Sequence, residues 1–391
     1  MAAGRSATVV WPTPRSEWSS GRVYGLDDPV AEARILNRPL QDWQGAPALH
    51  EQGAGEVHGP AFVVGQDLWV SSGMYAALER AAEGAEHIVR LARAIDGPGA
   101  TADPLGRLPR REGTILFDLW YVPPGVTLPV GTQWPALLQD APGVDVQTKV
   151  HEMNVAVDGV SNQGSTTMSL KFAGVAAAPV SHWVELHRAN LLAIGTTALE
   201  RGPVRGGLGL GWAAIRALSI NPFKVASRIT RRGRNCLIHP SAVVEGCILG
   251  DGVKVDAGAV LRGCVVGDEV KVGPLALAEF SVIGDGVELQ KQCTATVCVV
   301  YPGARVGGVA QLSVIGRDVR FKLGAVTTDM NPGGGEVRVM TPDGLSSLDY
   351  GYLGCCLGHR SFIGSGIWIA PGRQIEADRV ILRDGEQMVL K

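Results

Sequence analysis

The sequence predicts an α/β domain followed by an all-β solenoid, a parallel β-helix of hexapeptide repeats. Three observations carry this expectation. A Val/Ile/Leu-Gly-Asp-x-Val string recurs at Leu249, Val266 and Ile283, at one constant interval. Two further series keep the same interval: Ile238, Val255, Val272 and Leu289, and Val244, Leu261 and Ala278. The 391 residues include 52 glycines and only 6% aromatics, which suits a core of small and branched side chains between many tight turns.

Merged, the three series place apolar residues at a repeating spacing of six, five and six positions. Such a chain coils as a triangle. Each side is a short strand, each turn stacks ~4.8 Å above the previous one, and glycine or small residues make the corners. After residue 300 the repeat loosens. Ile315-Gly-Arg-Asp-Val319 comes two positions sooner than two full turns after Ile283 would place it, and Ile363-Gly-Ser-Gly-Ile367 opens a last block ending near Ile381. Residues 329–352 break the period with Asn331-Pro-Gly-Gly-Gly335 and Pro342-Asp-Gly344. A long excursion from a rigid scaffold is a natural place for function.

The front of the chain reads differently. Residues 1–180 mix β-like runs, Ala61-Phe-Val-Val64 and Thr114-Ile-Leu-Phe117, with a helical pattern from Met74 to Ile95. Residues 181–235 read as a helical bridge. Trp183, Leu186, Asn190, Leu191 and Ile194 form its stripe, and a Gly-rich break spans 202–211. That break fits neither G-x-G-x-x-G nor G-x-x-x-x-G-K-S/T and reads as a connector. The solenoid occupies 236–391.

Composition excludes several classes. Hydrophobic residues are 46% and charged residues 19%, far from a disordered chain. A net charge of -2 disfavours a general nucleic-acid binder, and the run Arg228, Arg231, Arg232 and Arg234 reads as a solvated connector. No signal segment and no apolar run long enough to span a bilayer is evident, so a cytoplasmic protein with no membrane partner is expected. All seven cysteines follow residue 235 with no C-x-x-C pair, which points to reduced thiols. The solenoid carries only His239 and His359, too few for a three-histidine zinc site, so no metal centre is expected there.

The strings Gln311-Leu-Ser-Val-Ile-Gly316, Leu323-Gly-Ala-Val-Thr-Thr-Asp-Met-Asn331, Leu353-Gly-Cys-Cys-Leu-Gly-His-Arg-Ser-Phe-Ile-Gly-Ser365 and Ile369-Ala-Pro-Gly372 resemble a known family. It is that of the bifunctional sugar-1-phosphate nucleotidylyltransferases/N-acetyltransferases, of the N-acetylglucosamine-1-phosphate uridylyltransferase type. The resemblance covers roughly residues 236–384, with a weaker likeness over Trp183-Val-Glu-Leu-His-Arg-Ala-Asn190. It implies that the β-helix is left-handed and that the protein is a homotrimer. The implied activity is CoA-dependent acyl transfer to an amino-sugar phosphate or related nucleotide-sugar acceptor.

The resemblance also assigns residues. Gln311 stands where the family has its general-base histidine, Val314 replaces the family's Tyr, and Asn331 matches the Asn of the next motif. Ala325 and Ser365 match positions that contact acetyl-CoA. Gln cannot titrate, so His359 becomes the candidate to take a proton near neutral pH. The family's Gly-rich triphosphate loop, close to G-x-G-T-R, has no counterpart in residues 1–60. Nucleotidyl transfer is therefore not expected, and Mg2+ would matter only if the N-terminal domain were active. The opposing expectation is a catalytically silent binding or assembly solenoid.

Overall fold

The computed structural model of the chain describes residues 7–11, 21–44, 56–95, 102–129, 134–157, 166–201, 229–331, 335–348 and 351–383. The Gly-rich stretch 202–211 lies outside them, as does the expected helical bridge from 202 to 228. The chain divides into two compact units, 1–23 with 28–196, and 24–27 with 197–391.

The first unit is mixed α/β, built on a sheet in the order Ala7–Trp11, Ala61–Gly65, Thr114–Val122, Val89–Ala94, Gly143–Asp145. The two outer pairings are parallel and the two inner ones antiparallel. Both β-like runs read from sequence lie in its strands. The expected helix from Met74 to Ile95 does not run through. Helix Ser72–Ala81 is followed by a turn with Gly84 at φ +82°, and Val89–Ala94 is a strand. That strand has neighbours on both sides and buries five of its six residues, so its apolar side chains are not confined to alternate positions.

Its pairing with Thr114–Val122 slips between Arg90 and Ala92, opposite Trp120 and Leu116. Arg90 fills the irregularity. Its Nε donates to the Phe117 carbonyl at 3.0 Å and its Nη2 to Asp118 Oδ1 at 2.5 Å. The bulge thus holds a buried but neutralised ion pair.

The stripe read at Trp183 forms helix Trp183–Arg201, with Trp183, Leu186, Asn190 and Leu191 buried. Asn190 sits on the buried face because it satisfies backbone. Its Oδ1 accepts from Leu36 N–H and its Nδ2 donates to the Arg34 carbonyl, both at 2.9 Å. The first unit includes the chain through Thr196.

The second unit is a left-handed parallel β-helix of three faces. The first face stacks eight strands, from Leu237–Ile238 to Val380–Ile381. The second stacks seven, from Val243–Glu245 to Trp368–Ile369, and the third seven, from Ile248–Leu249 to Gln374–Ile375. All pairings are parallel and in register, Val255 on Val272, Leu261 on Ala278, Val266 on Ile283. The three aliphatic series are the three inward columns. They merge into one core that also takes Leu357, Ile363 and Ile369.

The two missing positions are at one corner. Thr294 pairs with Val309, where an unbroken period would bring position 311. Gly307-Gly308 makes the turn that takes 290–293 in the coil before. A Cβ on Gly308 would lie 2.1 Å from the Ala325 carbonyl oxygen and 2.8 Å from the Phe321 ring, so only glycine fits. Phe321 is the one aromatic of its inward column and packs beneath this shortened corner. The excursion is a true insertion. The chain leaves after Val326–Thr327 and rejoins at Cys356–Leu357. Between them an antiparallel hairpin pairs Arg338–Thr341 with Gly344–Ser347.

Candidate functional site

The triangular cross-section decides which candidate residues can meet. Ala325 and Ser365 lie at the corner between the first and second faces. Gln311 ends a second-face strand, at the corner where the excursion leaves. His359 lies at the third corner, between the third face and the first. The structure brings Gln311 and the neck of the excursion together and leaves His359 at the far end of the third face.

His359 has an identifiable corner role. In the regular turns an aspartate side chain caps the backbone of the turn before it. Asp251 Oδ1 accepts from Arg234 N–H at 2.7 Å, Asp268 Oδ1 from Asp251 N–H at 2.7 Å, and Asp285 Oδ1 from Asp268 N–H at 3.0 Å. His359 stands at the equivalent place, following Gly358 as those aspartates follow their glycines. Its Nδ1 accepts from Arg317 N–H at 2.7 Å. It is 5% exposed and lies 5.6 Å from the Tyr301 ring. A ring whose Nδ1 accepts carries its proton on Nε2, so neither nitrogen has a lone pair ready for a substrate proton.

Gln311 is half-buried. Its backbone is fixed from both sides. Its N–H donates to Thr327 Oγ1 at 2.9 Å and its carbonyl accepts from Ser313 Oγ at 2.6 Å. Its side chain continues an outward polar column of Glu245, Arg262, Glu279 and Thr296, whose first three members pair at 3.1 Å each. Val309 pairs with Val326, and Thr328 and Asp329 follow the end of that strand toward the corner.

Asp329 carries no signal in the sequence. Its carbonyl accepts from Leu353 N–H at 2.8 Å, which closes the neck of the excursion. Burial raises its carboxyl above the ordinary aspartate range. Asn331 is half-buried, and its Nδ2 donates to the Glu336 carbonyl at 2.7 Å, so its amide ties its own loop.

At the opposite edge of the second face, Ser365 is exposed and Ala325 is fully buried in the solenoid core. Ser365 alone of the two presents its side chain outward. Gly324 and Gly366 flank them at φ +78° and +70°, and Leu323 beside them is 56% exposed.

The second face has two outward columns: the polar one that ends at Gln311, and a second that is apolar but for Thr294. This second column is Val243, Val260, Leu277, Thr294, Val309, Val326 and Trp368, none buried and Trp368 72% exposed. The first face instead turns out Lys254, Lys271, Glu288, Arg305 and Arg320, and the third has Val282, Val299, Val314 and Cys356 already buried. Among the described residues no cluster of three or more His, Cys, Asp or Glu is arranged for a metal ion, and no helix is long and apolar enough to cross a membrane.

The run of arginines ahead of the solenoid joins its first turn. Arg231 bridges to Ile248, and Arg234 grips Asp251 through two guanidinium hydrogen bonds at 2.9 and 2.6 Å.

A family model described as the GMPPB C-terminal domain matches residues 228–315. No curated protein matches the chain. The matched stretch covers the regular turns and ends before the excursion. Together with the solenoid over 237–381, it fits a sugar-1-phosphate transferase with a C-terminal β-helix. The chain thus resembles the sugar-1-phosphate nucleotidylyltransferase/N-acetyltransferase family, most clearly in its left-handed β-helix.

Proposed function

We propose that this chain is a transferase of the sugar-nucleotide pathway whose solenoid transfers an acyl group from acetyl-CoA or another acyl-CoA to an amino-sugar phosphate or related nucleotide sugar. The observation that carries the reading is the second face. It carries an open column that is apolar but for Thr294, with Ser365 at one edge of the face and Gln311, Thr328 and Asp329 at the other. A homotrimer with second faces turned toward neighbouring copies would enclose that surface.

Bound acetyl-CoA would supply an activated thioester. Leu323, Ser365 and the glycine backbone beside them would hold its arm. The Gln311 amide would orient the acceptor by hydrogen bonding, since it cannot take a proton. The proton leaving the acceptor amine would go to Asp329, whose carboxyl burial raises above the ordinary aspartate range, and from there to the CoA thiolate released as the C–S bond breaks and the C–N bond forms. His359 takes no part in this scheme, because its Nδ1 is committed to Arg317.

A second reading has its own observation. Gln311 continues a structural ladder, which suits a silent assembly module. Titrating the full chain with acetyl-CoA, then assaying acyl transfer to hexosamine phosphates, tests the choice. Saturable binding with turnover is expected. Asp329→Asn should lower kcat by ~10²-fold or more and Gln311→His should raise it. Absence of acetyl-CoA binding would establish the silent module.

A further inference from the structure

The central strand Val89–Ala94 carries two buried arginines with different surroundings. Arg90 has the Asp118 carboxylate and the Phe117 carbonyl. Arg93, 5% exposed, donates through Nη2 to Thr148 Oγ1 at 3.0 Å. Its Nη1 is buried and has no hydrogen-bond partner among the described residues. Leaving a buried charged donor unsatisfied is costly, so it marks a place where something polar belongs.

Arg93 lines a small recess within the first unit. The other walls are apolar: Met74 from its helix, Ala102, Phe117 from the adjacent strand, Ala177, and Leu192 from helix Trp183–Arg201. A guanidinium edge at an otherwise greasy wall selects an anion that also brings an apolar body.

We propose that this recess binds a small carboxylate, a two- to four-carbon acid or the carboxylate end of a slightly longer chain, held by Arg93 Nη1 with its alkyl part against Met74, Phe117 and Leu192. A phosphate fits less well. It would bring a second charge and further acceptor oxygens, and the walls offer no second cation among the described residues. Asp145 lies close enough to Arg93 to act on it electrostatically, so a singly charged anion is tolerated better than a doubly charged one. Burial also pulls the Arg93 guanidinium below its ordinary range, with Asp145 opposing; a bound carboxylate would oppose it further.

The site is independent of acyl transfer by the solenoid, and so is its test. Full-length protein would be titrated calorimetrically with acetate, propionate and butyrate at fixed ionic strength, with chloride and inorganic phosphate as comparisons. Saturable carboxylate binding is expected, tightening from acetate to butyrate and at least tenfold tighter than phosphate. Arg93→Met should weaken it at least tenfold while keeping or raising the melting temperature, since it removes a buried charge with an unpartnered donor. Ala177→Leu, which fills the recess and leaves Arg93 in place, should abolish it, and it serves as the test if Arg93→Met does not fold. No saturable heat, binding unchanged in both variants, or phosphate binding as tightly as butyrate would each overturn the proposal.

Discussion

The imidazole of His359 accepts the backbone N–H of Arg317 across one turn of the solenoid, 2.7 Å away, as Asp268 and Asp285 do for the turns before them. The bond is structural, and that separates it from catalysis by substitution. His359→Ala leaves a buried N–H unpaired and should cost about 1–3 kcal/mol. His359→Asp, which restores the residue of the regular turns, should recover most of that loss. Melting temperatures check both. Acyl transfer, once measured, should be equal in the wild type and the Asp variant. Lost activity in a fully stable His359→Asp protein would return the imidazole to the chemistry.

The shortened corner makes a second expectation. Gly308→Ala would drive a methyl into the Ala325 carbonyl and the Phe321 ring. A cost of roughly 2–4 kcal/mol is expected, within the range of overpacked cores and strained backbone. Phe321→Leu should not rescue it, because the carbonyl contact at 2.1 Å remains. Rescue would mean the ring and not the backbone sets the limit.

The inward columns are legible because one side chain per strand points inward and stacks on its equivalent one turn later. Val244, Leu249 and their repeats lie in the core, and Ile238 packs against its open end. The Met74–Ile95 segment misleads because Ile88, Leu91 and Ile95 extend a helical spacing that a strand buried on both faces also permits. The meaning of His359 is present in the sequence, since Gly358-His359 follows the Gly-Asp pattern. The long pairing offset introduced by the excursion, which sets Ile315 against Leu357, conceals that equivalence. Asp329 is not legible at all. Its burial arises where the excursion's neck closes on Leu353, a contact no local pattern announces.

Thiol chemistry follows from burial. Burial pushes Cys293, Cys298 and Cys355 up to about 12 and raises Cys264 and Cys356 as well. Cys247 is lowered by its hydrogen bond with Cys264 but is 1% exposed. Thiolate and access are both needed for alkylation. Native protein should therefore take up iodoacetamide quickly only at Cys236, which is partly exposed, and at all seven cysteines after denaturation. Mass spectrometry of the intact chain reads the count. Fast native labelling at Cys247 would contradict the packing.

Acid sensitivity should include a contribution from the first capped corner. Arg234's guanidinium, and then its backbone N–H, hold the Asp251 carboxyl below the ordinary range. A depressed carboxylate contributes stability that is present above its unfolded pKa of ~3.9 and is lost as pH falls through the folded value. Asp251→Asn removes the charge and keeps an acceptor. The stability difference between wild type and variant should be constant above pH ~5 and close toward pH ~2. Chemical denaturation at each pH measures it, and a gap that persists at the acid end would refute the assignment.

The second face offers the last test. Its second outward column runs from Val243 to Trp368 over seven strands, roughly 30 Å at the spacing of stacked strands. A stripe of that length, half-buried along most of its course and ending in a tryptophan 72% exposed, is more apolar surface than isolated surface residues explain. The first face is charged over its middle turns, and Val282, Val299 and Val314 of the third are already buried, so the second face is where copies are expected to meet. Sedimentation of the full chain should give three times 41.1 kDa. Leu277→Arg, midway along the stripe, should yield monomers with little change in the melting of the solenoid, because Leu277 points away from the core. Lys271→Glu on the first face should leave the assembly intact. A monomeric wild type, or a Leu277→Arg variant that stays assembled, would move the interface off this face and take with it the shared acyl site.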